Sequence, residues 1–237
     1  MIRLELRDIS KSYKTVKALE GFNFEFTNGI YGLLGPNGAG KSTLMNIITQ
    51  NIKSDEGDVL LDGENMLKLK QKYISRIGYM PQQQSVYDHL TLLRFMYYMA
   101  SLKGVKKVDA DVQIKALLER VELWDVRNRK LGGFSGGMKQ RALISQALLG
   151  NPDIVILDEP TAGLDPMQRV AVRNLIKDMA EDKILIVSTH VVSDIEPIAK
   201  EIIVMKKGKI IANRNMHEAS ENGEGLEDMY MRLFGEA

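Results

Sequence analysis

The sequence predicts an α/β fold, a mostly parallel sheet with flanking helices into which a purely helical segment is inserted. Three observations carry this. The runs "DIVILDE" and "KILIVSTH" are continuously apolar, as strands buried on both faces of a parallel sheet are. The glycine-rich stretch "GPNGAGKST" lies between an apolar run and a helix-forming one. From about 85 to 149 the pattern is helical, with no convincing strand.

The elements follow in order. Ile2, Leu4 and Leu6 alternate with polar residues and read as a strand. Phe22, Phe24 and Phe26 give a second. "GIYGLLG" is a short apolar run leading into the glycine loop, and "KSTLMNIITQNI", from Lys41, suits a helix. "GDVLLDGENM" reads as a strand with an Asp62-Gly63 turn, and "RIGYMP" as a short strand stopped by Pro81. In the helical segment, "TLLRFMYYMASLKG" and "DADVQIKALLERVEL" carry apolar residues at helical spacing, and Gly104 is placed to end the first. Leu92, Phe95 and Met96 are the expected core of that segment, whereas Tyr87 is harder to place inside it. A helix from about Pro166 to Met179 separates the two late apolar strands. "EIIVMKKGKIIAN" reads as a hairpin around Lys207-Gly208, and a short helix follows near the C-terminus. The expected division is one domain over 1–237, with a core of about 1–84 and 150–237 and a helical part of about 85–149.

Composition narrows the partners. Hydrophobic residues make up 44% and charged residues 27% of the 237, an ordinary globular mixture. The 32 basic and 31 acidic residues leave a net charge of +1, which argues against nucleic acid as the main partner. There is no cysteine, hence no disulfide framework and no thiolate metal site. "MIRLELRDIS" lacks the apolar run of a signal peptide, and no stretch approaches the ~18 apolar residues of a membrane span. If the protein acts at a membrane, another chain is expected to cross it.

The chemistry lies in three stretches. In "GPNGAGKST" the glycines Gly35, Gly38 and Gly40 let backbone N–H groups turn inward around an anion, at the N-terminus of the following helix. Lys41 is placed to reach β- and γ-phosphates, Ser42 to ligate Mg²⁺ and Thr43 to bond near the α-phosphate. This matches G-x-x-x-x-G-K-[ST] in its strand–loop–helix setting, which favours phosphate binding over a plain mobile turn. In "IVILDEP" an apolar strand ends in Asp158 and Glu159, at the end of the sheet where ligands sit in open α/β folds. Alone, Asp-Glu there is an ordinary solvated strand end. Beside the phosphate loop, Asp158 is expected to hold Mg²⁺ through water and Glu159 to polarise the attacking water. In "FSGGMKQR" Ser135 is a candidate helix cap, and Gly136 and Gly137 expose the first N–H groups of that helix.

In this order the motifs resemble those of the ATPase subunit of an ATP-binding cassette (ABC) transporter, over essentially the whole chain. The residues Gly35, Pro36, Asn37, Gly38, Ala39, Gly40, Lys41, Ser42 and Thr43 match its Walker A loop, and "VILDEP" its Walker B strand. "FSGGMKQR" resembles the family signature, "AGLDP" the D-loop and "VSTH" the switch segment ending in His190. The resemblance implies a P-loop NTPase core with an antiparallel β subdomain and a helical insert. It implies that Tyr13 stacks on adenine and that Gln82, in "GYMPQ", senses Mg²⁺ and a transmembrane partner. It further implies that Ser135, Gly136 and Gly137 bind nucleotide, that Asp165 faces a second cassette and that His190 contacts the γ-phosphate.

From the same resemblance comes the expected activity: Mg²⁺-dependent ATP hydrolysis in a head-to-tail homodimer. Each ATP would lie between the Walker A loop of one copy and the signature of the other. The chain would sit at the cytoplasmic face of the membrane through a separate permease, most like bacterial exporters of drugs, peptides, lipids, polysaccharides or sodium. Three alternatives compete: an ABC ATPase acting on nucleic acid or ribosomes, a small-molecule kinase and a binding module without turnover. Balanced charge, the FSGG stretch, and Glu159 with His190 argue against these in turn. One departure stands out. The usual signature has Leu and Gln where this chain has Phe134 and Met138, and a thioether does not replace an amide's hydrogen bonds.

Overall fold

The computed structural model describes residues 1–82, 87–216 and 225–235. Among these, one sheet has four strands. β1 (Arg3–Tyr13) pairs antiparallel with β2 (Val16–Thr27) on one edge and with β4 (Glu56–Leu61) on the other. β5 (Glu64–Asn65) folds back on β4 across the Asp62-Gly63 turn. The second sheet has six strands: β3 (Gly29–Leu34), β6 (Ile77–Met80), β7 (Ile154–Asp158), β8 (Ile184–Thr189), β9 (Glu201–Lys206) and β10 (Lys209–Asn215). Their spatial order is β10-β9-β3-β8-β7-β6, parallel throughout except for the β9–β10 hairpin.

The continuous apolar runs are explained by two cores, one on each face of this sheet. Ile154, Ile156, Ile184 and Ile186 point toward the four-stranded sheet and toward Leu44, Met45, Ile47 and Ile48 of α1 (Lys41–Ile48). Val155, Leu157, Leu185 and Val187 point the other way. Strand side chains alternate, so a strand covered on both faces needs an apolar residue at every position.

The second core continues into the insert. α4 (Leu92–Leu102) is capped by Thr91, whose Oγ1 accepts from the Arg94 amide at 3.3 Å. Leu92, Phe95 and Met96 are fully buried, and each such side chain contributes roughly 1.5–3 kcal/mol by leaving water. Gly104 follows with φ +70°, ending the helix as its position in the sequence suggests. α5 (Lys107–Arg120) buries Ala110, Ile114 and Leu118 against the same cluster. α6 (Gly136–Leu148) then runs back from the insert to the sheet.

The far end of α6 is held tightly. A Cβ on Gly78 of β6 would collide with the Ala147 carbonyl, so backbone meets backbone there. Gln146 Nε2 donates to the Tyr79 carbonyl at 2.9 Å. Lys103, just past α4, donates to the carbonyls of Gln146, Ala147 and Leu149 at 3.1, 2.9 and 2.9 Å. A cation on the open carbonyls of a helix C-terminus is favourable, but burial also pushes this lysine's pKa down to about 8.

The sequence reading missed α2 (Met66–Leu69) and α3 (Gln71–Ser75), which are too short to show a helical period. α7 (Pro166–Asp178) and α8 (Val192–Ile195) flank β8, and α9 (Leu226–Phe234) buries Leu226 and Met229. The expected boundary at about 84/85 falls outside the described residues. Among the described residues, no helix is long and apolar enough to cross a membrane.

Candidate active site

The loop 35–40 joins β3 to α1, and two of its glycines are required by space. A Cβ on Gly35 would run into the Met205 carbonyl. Gly40 caps α1 with φ 106°, and a Cβ there would meet Ala18 O at 2.5 Å. Lys41 opens the helix and folds back over the loop. Its Nζ donates to the carbonyls of Gly35 and Pro36 at 2.5 and 3.3 Å. Burial lowers its pKa, while the nearby Glu159 and Asp158 act in the opposite sense.

Register brings the second half of the site. Asp158, the last residue of β7, lies opposite Ser188 on β8. Ser188 Oγ donates to Asp158 Oδ1 at 2.5 Å and accepts from the Glu159 amide at 2.9 Å. Ser42 Oγ donates to the other oxygen, Asp158 Oδ2, at 3.1 Å. Glu159 is buried and has φ +51°, a left-handed conformation that costs a non-glycine residue about 1–3 kcal/mol. The surrounding bonds hold it there: besides Ser188 on its amide, its carbonyl accepts from Ala162 N at 3.1 Å and Gln140 Nε2 at 3.4 Å. His190 Nδ1 stands 3.0 and 2.9 Å from the two carboxylate oxygens of Glu159, so its N–H is placed to donate to them.

These residues converge. Tyr13, Gln82, Asp158 and Glu159 line one cavity of about 240 Å³ together with Pro36 to Thr43. The signature does not join them. Ser135 caps α6, its Oγ accepting from Met138 N at 3.3 Å, and it lines a separate cavity of about 240 Å³ with Gly137, Met138 and Gln168. Gly136 is exposed beside them. Asp165 lines neither cavity; its Oδ1 caps α7 by accepting from Gln168 N at 2.9 Å. Met138 is half-buried against the second core.

Within one chain the phosphate loop and the signature therefore face different spaces. Residues 19–162 match the family model for the ABC transporter. The chain belongs to the ABC transporter ATP-binding family. This cassette is 31% identical over 238 residues to the ABC transporter ATP-binding protein NatA of Bacillus subtilis (strain 168), covering 96% of each chain. It is 35% identical over 211 residues to the bacitracin transport ATP-binding protein BcrA of Bacillus licheniformis, covering 88% of the cassette and 68% of BcrA. It is also 33% identical over 229 residues to ABC transporter A family member 8 of Dictyostelium discoideum, of whose length it spans 27%. Among solved structures, a dimeric ATP-binding cassette bound to ADP and Pi in a post-hydrolysis state superposes with a TM-score of 0.80. The two are 28% identical, and the match covers 90% of this cassette and 98% of that chain. The cassette is accordingly an ABC ATPase with a P-loop NTPase core.

Ser188 is the residue of this site that sequence reasoning passed over. Nothing local marks it: it is one of two hydroxyl residues at the end of β8, and only the register with β7 sets it opposite Asp158. Ser188→Ala is expected to orphan the buried Glu159 amide, costing roughly 1–3 kcal/mol of stability. It should also lower kcat by about tenfold, as two carboxylates lose their alignment. Thermal unfolding and steady-state ATPase assays check this together; a variant equal to wild type in both would show Ser188 to be dispensable.

Proposed function

We propose that this cassette hydrolyses Mg²⁺-ATP in head-to-tail pairs and thereby drives export through a separate permease. The observation that carries the pairing is the separation of the two half-sites: the phosphate loop lines one cavity and Ser135 with Gly137 another. Apposing two copies about a two-fold axis would place the signature of each over the phosphate loop of the other. The similar cassette that was solved as a dimer supports this.

In each site Lys41 leaves the loop carbonyls for the β- and γ-phosphates, since a charged oxygen is the stronger acceptor. Tyr13, which is exposed at the cavity, stacks on adenine. The Ser42 hydroxyl and Asp158 carboxylate, already side by side, are hard oxygen donors of the kind Mg²⁺ takes, with Gln82 the third candidate ligand. The ion, when bound, would neutralise charge on the transferred phosphoryl group. Glu159 polarises the attacking water as general base. His190 orients that carboxylate and, at its other edge, meets the γ-phosphate. Ser135, Gly136 and Gly137 of the partner subunit grip the γ-phosphate from the far side.

A role in transport is supported by the relative named for bacitracin transport; the reading adds export through a separate permease at the cytoplasmic membrane face, with a drug, peptide, lipid, polysaccharide or sodium as the cargo class. Two surfaces of the insert would receive the permease. One is a cavity of about 520 Å³ between α3, α4 and α6, lined by Ile74, Met99, Leu102 and Leu149. The other is Tyr87, exposed and set edge-on against Tyr98 with ring centroids 5.5 Å apart.

The sequence contains no cysteine, which makes the pairing directly testable. Asn37 is exposed on the phosphate loop and Met167 is 84% exposed beside the signature cavity. A mixture of Asn37→Cys and Met167→Cys chains, treated with a short thiol cross-linker, should give a dimer that depends on ATP. Each variant alone should not. No cross-link in the mixture, or equal cross-linking of each variant alone, refutes the head-to-tail arrangement.

A further inference from the structure

We propose that Asp194 is the positioning residue that locks the loop carrying Asp165 to the turn carrying His190. The inference rests on the paired-cassette reading and adds to it the connection between the two ATP sites.

Asp194 lies on α8, immediately after the switch histidine, and is only 9% exposed. A buried carboxylate must be compensated, and the source of the compensation tells what it holds. Here the side-chain partners come from the loop 160–165 and the helix after it. Thr161 Oγ1, itself buried, donates to Asp194 Oδ2 at 2.7 Å. Arg169 Nη1 stands 3.5 Å from the same oxygen, while its Nε donates to the Leu164 carbonyl at 3.0 Å. The loop between Glu159 and Asp165 is thus pinned near its start by the Thr161 hydroxyl and near its end through Arg169, both to one carboxylate. Inside the loop, Ala162 N donates to Glu159 O at 3.1 Å and Leu164 N to Thr161 O at 3.3 Å, so it moves as a unit.

The consequence is mechanical. His190 is bonded to Glu159 at one side of the loop, and four residues later Asp194 holds the loop's other contacts. A shift of the histidine turn, when the γ-phosphate arrives or leaves, drags Thr161 and the Leu164 carbonyl with it. Asp165, next in the chain and exposed, moves in turn against the second copy. Neither Asp194 nor Thr161 lines the cavity that receives nucleotide, so this function is separable from ATP binding by one chain.

The test uses Asp194→Asn, which keeps the shape and removes the charge, and Thr161→Val, which removes one O–H and leaves the carboxylate–Arg169 pair. In the full chain, kcat should fall about tenfold or more for Asp194→Asn and several-fold for Thr161→Val, the range of one lost hydrogen bond. KM, and the Kd for a fluorescent ATP analogue on the monomer, should stay within about twofold of wild type. Placed in a Glu159→Gln background, each should raise the protein concentration needed for the Mg-ATP dimer. If kcat is unchanged in both variants, or only nucleotide affinity or the melting temperature falls, Asp194 is a local fold support and the proposal is wrong. The Glu159→Gln parent keeps the two ideas apart. If that parent never dimerises, the paired reading fails, whereas a parent that dimerises alike with and without Asp194→Asn refutes this proposal alone.

Discussion

Glu159→Gln should bind ATP as wild type does and hydrolyse it about 10²–10⁴-fold more slowly. The amide keeps the length and most of the hydrogen bonding of the carboxylate. The Glu159 backbone, fixed by Ser188 and Ala162, does not depend on the side chain's charge. What disappears is the proton acceptor. The contact with His190 Nδ1 can persist, since the amide offers its oxygen to an Nδ1–H or its N–H to a bare Nδ1, but it loses the charge of the carboxylate. On the paired reading proposed above, in which turnover separates the halves, the variant should accumulate as a dimer in Mg-ATP. Size-exclusion chromatography and a phosphate-release assay read the two effects. Hydrolysis at the wild-type rate removes Glu159 from the chemistry.

Lys41→Ala should cost as much at an earlier step. Lys41 is the one cation of the phosphate loop, and charge-assisted hydrogen bonds are each worth roughly 1.5–3 kcal/mol. Losing the contacts proposed for it to both β- and γ-phosphates should lower kcat/KM by about 10²–10⁴-fold, chiefly through weaker ATP binding. The protein itself should not suffer. Burial holds the Lys41 pKa below the ordinary lysine value, so removal relieves a desolvated charge but also takes the donor from the Gly35 and Pro36 carbonyls, and the melting temperature should change little. The pH dependence has a definite sign. A lysine with a depressed folded-state pKa loses its proton before the unfolded chain does, so stability from this group rises with pH across that alkaline window. ATP affinity falls across the same window, since the bound phosphates need the proton. Affinity that is flat with pH, together with an active Lys41→Ala chain, would mean that the phosphates are held elsewhere.

The legible parts of the site were those in which a residue type does the work locally. Gly35 and Gly40 are needed for close approach, Lys41 for charge, and Asp158 and Glu159 for carboxylates at a strand end; each sits in a short contiguous stretch. Ser188, Gln140, Thr161 and Asp194 were not legible. Serine beside threonine on a strand is ordinary. Ser188 matters because the β7–β8 register sets it opposite Asp158, a pairing across 30 residues. Asp194 reads as one more charge on a short helix until Thr161, 33 residues away, is folded against it. The fold shows the same division. Strand alternation and helix caps were visible element by element, whereas the placement of β3 between β8 and β9 depends on contacts across the whole chain.

The grip between α6 and β6 gives the insert the properties of a lever with a fixed end. Gly78 and Ala147 meet backbone to backbone, and Gln146 and Lys103 add bonds at the same place, so sliding along that contact would break these bonds whereas a tilt about it would keep them. The arm from that fulcrum is α6 itself, 13 residues and therefore about 20 Å long at ~1.5 Å per residue. A tilt of about 10° displaces the free end by roughly 3 Å, about the length of one hydrogen bond. At that end stand Ser135 and Gly136. On the paired reading, small rotations near the sheet, where β6 hands over to Pro81 and Gln82, would make or break contacts at the signature. The gain of that conversion is set by the length of one helix.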